Sequence, residues 1–208
     1  MPKGAKGFNG SGRQRRGRHR RKRCNIGSVI TDRERQRALD LLNRSRQTLL
    51  DAVEGVSDQQ ARWKPGPERW SILEYVEHLA VADDALVALV ERSLQSPAQP
   101  ETEEERRARE QKIRETPMPR GVNHAPEMLT PNARFGSLGE ALAAFQQARA
   151  RTLAFARSTQ ADLRSHFAPH DVLGRLDGYQ WLVGNARHAE THAAHIREIR
   201  SLANFPSP

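Results

Sequence analysis

A single cysteine, Cys24, occurs in the 208 residues. That count excludes a disulfide scaffold and any zinc site built on thiolates. No apolar run approaches the ~20 residues that a membrane-spanning helix needs. No apolar run follows the basic N-terminal stretch either, as a secretory signal would require. A soluble, cytoplasmic protein without a membrane partner is the expectation. Strand-like alternation of useful length is missing, and so is any internal repeat. Residues 1–24 contain no acid but hold ten of the 34 basic residues. The rest of the chain carries 24 bases against 25 acids, so the formal charge of +9 belongs to the tail.

Residues 1–28 are rich in Gly and Arg and nearly devoid of large apolar side chains, a composition that cannot bury a core and reads as disordered. Three explanations compete. The tail is an arm that binds RNA or DNA through phosphate contacts, or a solvated extension, or the product of a start site set too far upstream of a protein that begins near Val29. The charges have no aromatic residues among them to stack on bases, which weighs against the first. The folding unit is then residues 29–208.

From Thr31 the pattern becomes helical. Thr31 and Glu34 form a capping-box signature, Leu39, Leu42, Leu49 and Val53 recur at helical spacing, and Gly55 ends the run. Ser57 and Gln60 mark a short turn of helix, and residues 64–70 read as a loop from their prolines and glycine. A second long helix runs from about Ser71 to Leu94 with an apolar stripe of Ile72, Val76, Leu79, Leu86 and Val90. Asp83 interrupts that stripe. Residues 97–134 form a long crossover: prolines at its start, a charged run expected to be a solvated helix, then four prolines between Pro117 and Pro131. Ser137 and Glu140 form another capping-box signature and open a third long helix carrying Leu138, Leu142, Phe145, Leu153 and Ala156. Residues 166–178 read as a loop, and a fourth helix extends from Tyr179 to about Leu202. The expected fold is all-α, a four-helix bundle with a long crossover between the second and third long helices.

The last helix carries His188, His192 and His195. At about 100° per residue these three fall within roughly 60° of one another on one face. Imidazoles at i and i+4 can share one divalent ion, but such a site needs a further ligand from elsewhere. His78, on the second long helix, is the natural partner, because bundle metal sites draw on facing helices. Measured from Ile72, however, His78 points roughly 120° away from the main apolar stripe, on a side shared with Ser71, Tyr75, Ala82 and Leu89. Glu74, one turn before His78, and Asp83 are candidates to orient a ligand ring by hydrogen bonding. His166 and His170 read as loop residues. Trp70, Trp181, Tyr75 and Tyr179 read as packing residues, one or two of which could line a pocket.

Trp70-Ser71, Glu74 and His78-Leu79-Ala80, followed far downstream by His188, His192 and His195-Ile196, resemble the DinB-like (DinB/YfiT) superfamily over roughly residues 31–202. The resemblance implies an up-down-down-up four-helix bundle. It further implies a divalent metal, zinc or nickel, bound by His78, His188 and His192, with His195 lining the pocket. Three protein ligands leave an open position, the pattern of catalytic rather than structural sites. The implied function is a metal-dependent enzyme, a hydrolase of small molecules or an S-transferase that uses a low-molecular-weight thiol, acting as a homodimer on a small-molecule substrate. The alternatives are a non-catalytic bundle stabilised by metal and a nucleic-acid-associated protein acting through its tail.

Overall fold

The computed structural model describes residues 29–116 and 126–207. The basic tail with Cys24, and Pro117 and Pro119 of the crossover, lie outside the described residues. Local sequence signals set the helix starts. α1 (Asp32–Val53), α2 (Asp58–Arg62), α3 (Ile72–Ser93), α4 (Glu103–Glu115) and α6 (Gly178–Arg200) each open on a reciprocal capping box, with Thr31, Ser57, Ser71, Thr102 and Asp177 as caps. Each box satisfies backbone donors that the first turn would otherwise leave unpaired. α5 (Leu138–Ser158) has half of this device: Ser137 accepts from Glu140 N, while the Glu140 carboxylate bonds to Gly136 N at 2.7 Å instead. Past the end of α1, Gly55 adopts a left-handed φ of 72°, which a residue without Cβ reaches at little cost.

The four long helices are α1, α3, α5 and α6. Helices α1 and α3 sit diagonally, each packed against both α5 and α6. Arg35 at the start of α1 donates to the carbonyls of Ala156 and Thr159 at the end of α5, at 2.6 and 2.9 Å, so α1 and α5 are antiparallel. Arg200 at the end of α6 donates to Ala52 O at the end of α1, at 2.7 Å, so α1 and α6 run the same way. The starts of α3 and α5 meet through Ile72 and Leu138 in one core cluster, and their ends meet through Val90 and Leu153 in another, so these two are parallel. The order is up, down, down, up.

A hairpin replaces the loop expected over 166–178. β1 (Phe167–His170) pairs antiparallel with β2 (Gly174–Asp177), in the register Phe167 to Asp177 and His170 to Gly174. Four-residue strands, one of them holding Pro169, are too short for a period-two signal to emerge. The hairpin feeds directly into α6, since its last residue, Asp177, is the α6 cap. Here Gly178 lies so close to α3 that a Cβ would meet Val90 Cγ1 at 3.1 Å and Leu163 Cδ2 at 3.0 Å. Helix α4 buries no residue, in keeping with a solvated charged helix. It is tied down by Arg109, which bonds to Glu101, Asp177 and Gln180. Among the described residues, no helix is long and apolar enough to cross a membrane.

Asp83 interrupts the α3 stripe because it pairs with Arg149 of α5 in the centre of the bundle. Both side chains are wholly buried, and the closest contact is 2.7 Å. Arg149 also donates to Leu42 O at 3.0 Å and Ser45 Oγ at 2.7 Å on α1, and Thr152 Oγ1 donates to Asp83 at 3.2 Å. One guanidinium thus joins three helices with its donors paired, the condition under which a buried charge is tolerated. Asp83→Ala is expected to lower the unfolding free energy by about 3–5 kcal/mol, since it strands the Arg149 charge. The double replacement Asp83→Leu/Arg149→Met should lose much less, and denaturant titration of both variants checks the comparison.

Candidate metal centre

His78 projects from α3, and His188 and His192 project from consecutive turns of α6, on the antiparallel helix that α3 faces. His78 Nε2 lies 3.0 Å from His188 Nε2, and His192 Nε2 lies 2.9 Å from His188 Nε2. Among the described residues, these three form the group of histidine, cysteine or carboxylate side chains whose ligand atoms converge, all within 4.8 Å of one another. His78 is buried, 4% exposed, although its helical phase lies off the main stripe. α3 has two buried faces: Ile72, Val76 and Leu79 pack in the core, while His78 turns toward α6 and the crossover.

The His78 tautomer is set by the backbone. His78 Nδ1 lies 2.8 Å from Leu129 O in the crossover. A carbonyl only accepts, so the ring hydrogen is assigned to Nδ1 and Nε2 presents its lone pair. His188 Nε2 then faces two neighbouring nitrogens, and one hydrogen cannot satisfy both approaches. A divalent cation would resolve the conflict, since two imidazole nitrogens ~2.0–2.1 Å from one tetrahedral ion are about 3.3 Å apart. The His78–His188 and His188–His192 separations need open by only a few tenths of an ångström. His192 Nδ1, by contrast, is buried with no hydrogen-bond partner among the described residues.

Protonation is not the resolution. Burial, then the neighbouring His78 and the more distant His170 and Arg149, lowers the His188 pKa to about 3. Burial and the adjacent His188, His78 and His195 hold His192 well below its ordinary value. Burial also lowers His78, with the Leu129 carbonyl acting in the opposite sense. All three rings are neutral near pH 7, the form that binds metal.

Aromatic rings wall the site. Trp70, 7% exposed, has its ring 4.9 Å from that of His78 and 6.2 Å from that of His192. Tyr75 lies 5.1 Å from His192 and 5.6 Å from His195. These residues, read from the sequence as packing, line the cluster. His195 is set beside it, 5.5 Å from His192 between ring centroids, and is not one of the converging nitrogens.

Glu74 and Asp83 do not orient the histidines. The Glu74 carboxylate closes the α3 capping box at Ser71 N, 2.7 Å away, and pairs with Lys64 at 2.8 Å. Asp83 is committed to Arg149. The group that does contact a ring is the Leu129 carbonyl, which sequence reasoning missed. A backbone oxygen carries no residue signature, and only the length of the crossover hinted at it. His170 stays in the hairpin, its Nδ1 accepting from Val172 N at 3.2 Å and its ring 5.3 Å from Trp181.

The unfolded chain titrates its histidines near pH 6.5, whereas folded His188 titrates near 3. Between these values the unfolded state holds the extra proton, so stability is complete above the upper value and is lost as pH falls. In metal-free protein, His188→Gln should therefore flatten the decline in thermal midpoint from about pH 6.5 to about pH 4. Midpoints that fall in parallel for wild type and variant would contradict a buried neutral ring.

A family model described as the DinB superfamily matches residues 41–196. YuaE of Bacillus subtilis (strain 168) is 24% identical over 163 residues, covering 78% of this chain and 96% of YuaE. Two solved structures share the fold. One is TT2238, a four-helix bundle protein, at 23% identity and a TM-score of 0.51 over 78% of this chain and 96% of that one. The other is YfiT from Bacillus subtilis, described as a probable metal-dependent hydrolase with an unusual four-helix bundle topology, at 20% identity and a TM-score of 0.53 over 81% of this chain and 87% of that one. With three quarters of its length matched by the family model, and with the bundle order that its contacts define, this chain belongs to the DinB superfamily.

Proposed function

We propose that this protein is a metal-dependent hydrolase of small molecules in which His78, His188 and His192 hold a divalent ion. The observation that carries this reading is the convergence of three neutral imidazole nitrogens, one of them fixed as a lone-pair donor by Leu129 O. The likeness to YfiT supports the same class. Imidazole donors suit zinc and nickel alike. An ion held by three protein ligands supplies a Lewis acid and lowers the pKa of a water at its open position.

The chain's own residues shape what reaches that position. Trp70 and Tyr75 keep one side of the cluster apolar, which strengthens electrostatic interactions inside it. Burial raises the Tyr75 pKa, so its hydroxyl keeps its proton and can donate. The converging donor set contains no carboxylate, so none of the ion's charge is neutralised by its ligands. That suits electron-rich acceptors such as ester or amide carbonyls. It also favours a thiolate, so transfer to a low-molecular-weight thiol is the second reaction to screen.

Metal analysis of purified protein should give about one ion per chain for wild type, as expected of a single three-ligand site. His192→Ala should retain less than about a tenth of that, since each imidazole supplies a third of the protein donors. Chelation should abolish hydrolysis of model esters and amides, and added zinc or nickel should restore it. Equal metal content in wild type and His192→Ala would overturn the ligand assignment. Activity that survives chelation would overturn the hydrolase reading, and turnover only with added thiol would favour transfer.

A further inference from the structure

Glu77 is 1% exposed and adjoins His78 on α3, yet the metal centre described above makes no direct use of it. Its Oε1 accepts from Asn132 N at 2.7 Å and from Arg134 Nη1 at 3.1 Å. Arg134 also donates to Thr130 O at 3.1 Å and Met128 O at 3.3 Å. Those two carbonyls flank Leu129, whose own carbonyl meets His78 Nδ1 at 2.8 Å. Between the two Glu77 partners, Ala133 takes a φ of 62°, a left-handed conformation disfavoured for residues with a Cβ. The backbone leaves its ordinary range where an amide and a guanidinium must both reach one carboxylate.

A buried carboxylate is a costly anchor for a loop unless the position of that loop matters. We propose that Glu77 is a positioning residue. Through Asn132 and Arg134 it holds the Leu129 carbonyl against His78 Nδ1, and so fixes the tautomer that presents Nε2 to the metal. The inference rests on the metal-centre reading above. It makes docking of residues 128–134 and metal binding linked equilibria, in which each strengthens the other by the same factor.

The test uses the full-length chain with Glu77→Gln and Arg134→Gln. Glu77 Oε2 has no hydrogen-bond partner among the described residues, so the first change removes the charge while keeping shape and the Oε1 acceptor. Arg134 has a side-chain exposure of 31%, so the second change threatens folding least. Long-range 1H–15N spectra of the metal-free protein report the His78 tautomer, and competition with a chromophoric chelator gives the zinc dissociation constant. Wild type should show the Nδ1–H form. Both variants should show a mixture, with zinc affinity weakened about ten- to a hundredfold, the usual effect of losing a group that orients a ligand. Amide exchange over 128–134 should slow on zinc loading in wild type and slow less in the variants. An unchanged tautomer, or zinc affinity within about twofold of wild type in both variants, overturns the proposal, because an anchor serving stability alone would leave both untouched. Wild-type protein that takes up no zinc would overturn the metal-centre reading instead, and the metal-free tautomer would still judge the clamp.

Discussion

Helices α3 and α5 run in the same direction, and much of the molecule follows from that constraint. Antiparallel neighbours can be joined by a few residues, but parallel ones need a chain that returns along the full length of the bundle. The return occupies the residues between Ser93 and Leu138. On its way it forms α4, attaches through Arg109 to the start of α6, and reaches the open side of α3 at His78. A bundle with short loops throughout would leave the Nδ1 side of His78 facing solvent. Here the long connection sets a carbonyl against that nitrogen.

The three converging histidines sit on two elements held by different means. α6 is fixed at its start by the Asp177 cap, which Arg164 and Arg109 both contact, at 2.8 and 3.2 Å. It is fixed at its end by Arg197 and Arg200, which donate to carbonyls of α1 at 3.0 and 2.7 Å. α3 is fixed in its middle by the Asp83–Arg149 pair. That pair lies between the two apolar clusters, one around Ile72, Phe145 and Ile196, the other around Leu42, Val90 and Leu182. Apolar contacts alone permit small slides of one helix along another, whereas a guanidinium carried by α5 and bonded to α1 and α3 ties the three at one level. The histidine nitrogens sit on a frame whose helices are pinned along their axes.

The parts of this architecture that depend on neighbours in sequence were legible in advance. Capping boxes at Thr31 and Ser57 gave helix starts to the residue, and apolar spacing gave the four long helices, because both signals lie within one or two turns of chain. Ser71 and Glu74 carry the same signature, but it went unread there, and Glu74, weighed as an orienting group for a histidine, instead closes the α3 cap. Asp83 shows the limit of the method. A carboxylate in an apolar stripe must have a partner, but periodicity within α3 cannot say whether that partner is a histidine or an arginine 66 positions away on α5. His78 was ambiguous for a related reason. A helix with two buried faces does not follow a single stripe, so its inward turn emerged only once α6 and the crossover were in place. The hairpin was missed because its pairing is satisfied by backbone atoms over strands too short to pattern.

The Leu129 contact has a consequence for how such a site can change over time. A carbonyl oxygen belongs to every residue, so position 129 can drift through many side chains without disturbing the ring it meets. Residue identity there records nothing of its use. The vulnerable quantity is chain length: an insertion or deletion between α4 and α5 would move the oxygen away from His78 while leaving every histidine in its place. Two relatives with the same three imidazoles but crossovers of different length would then hold them in different surroundings, and an inventory of histidines alone would not tell them apart.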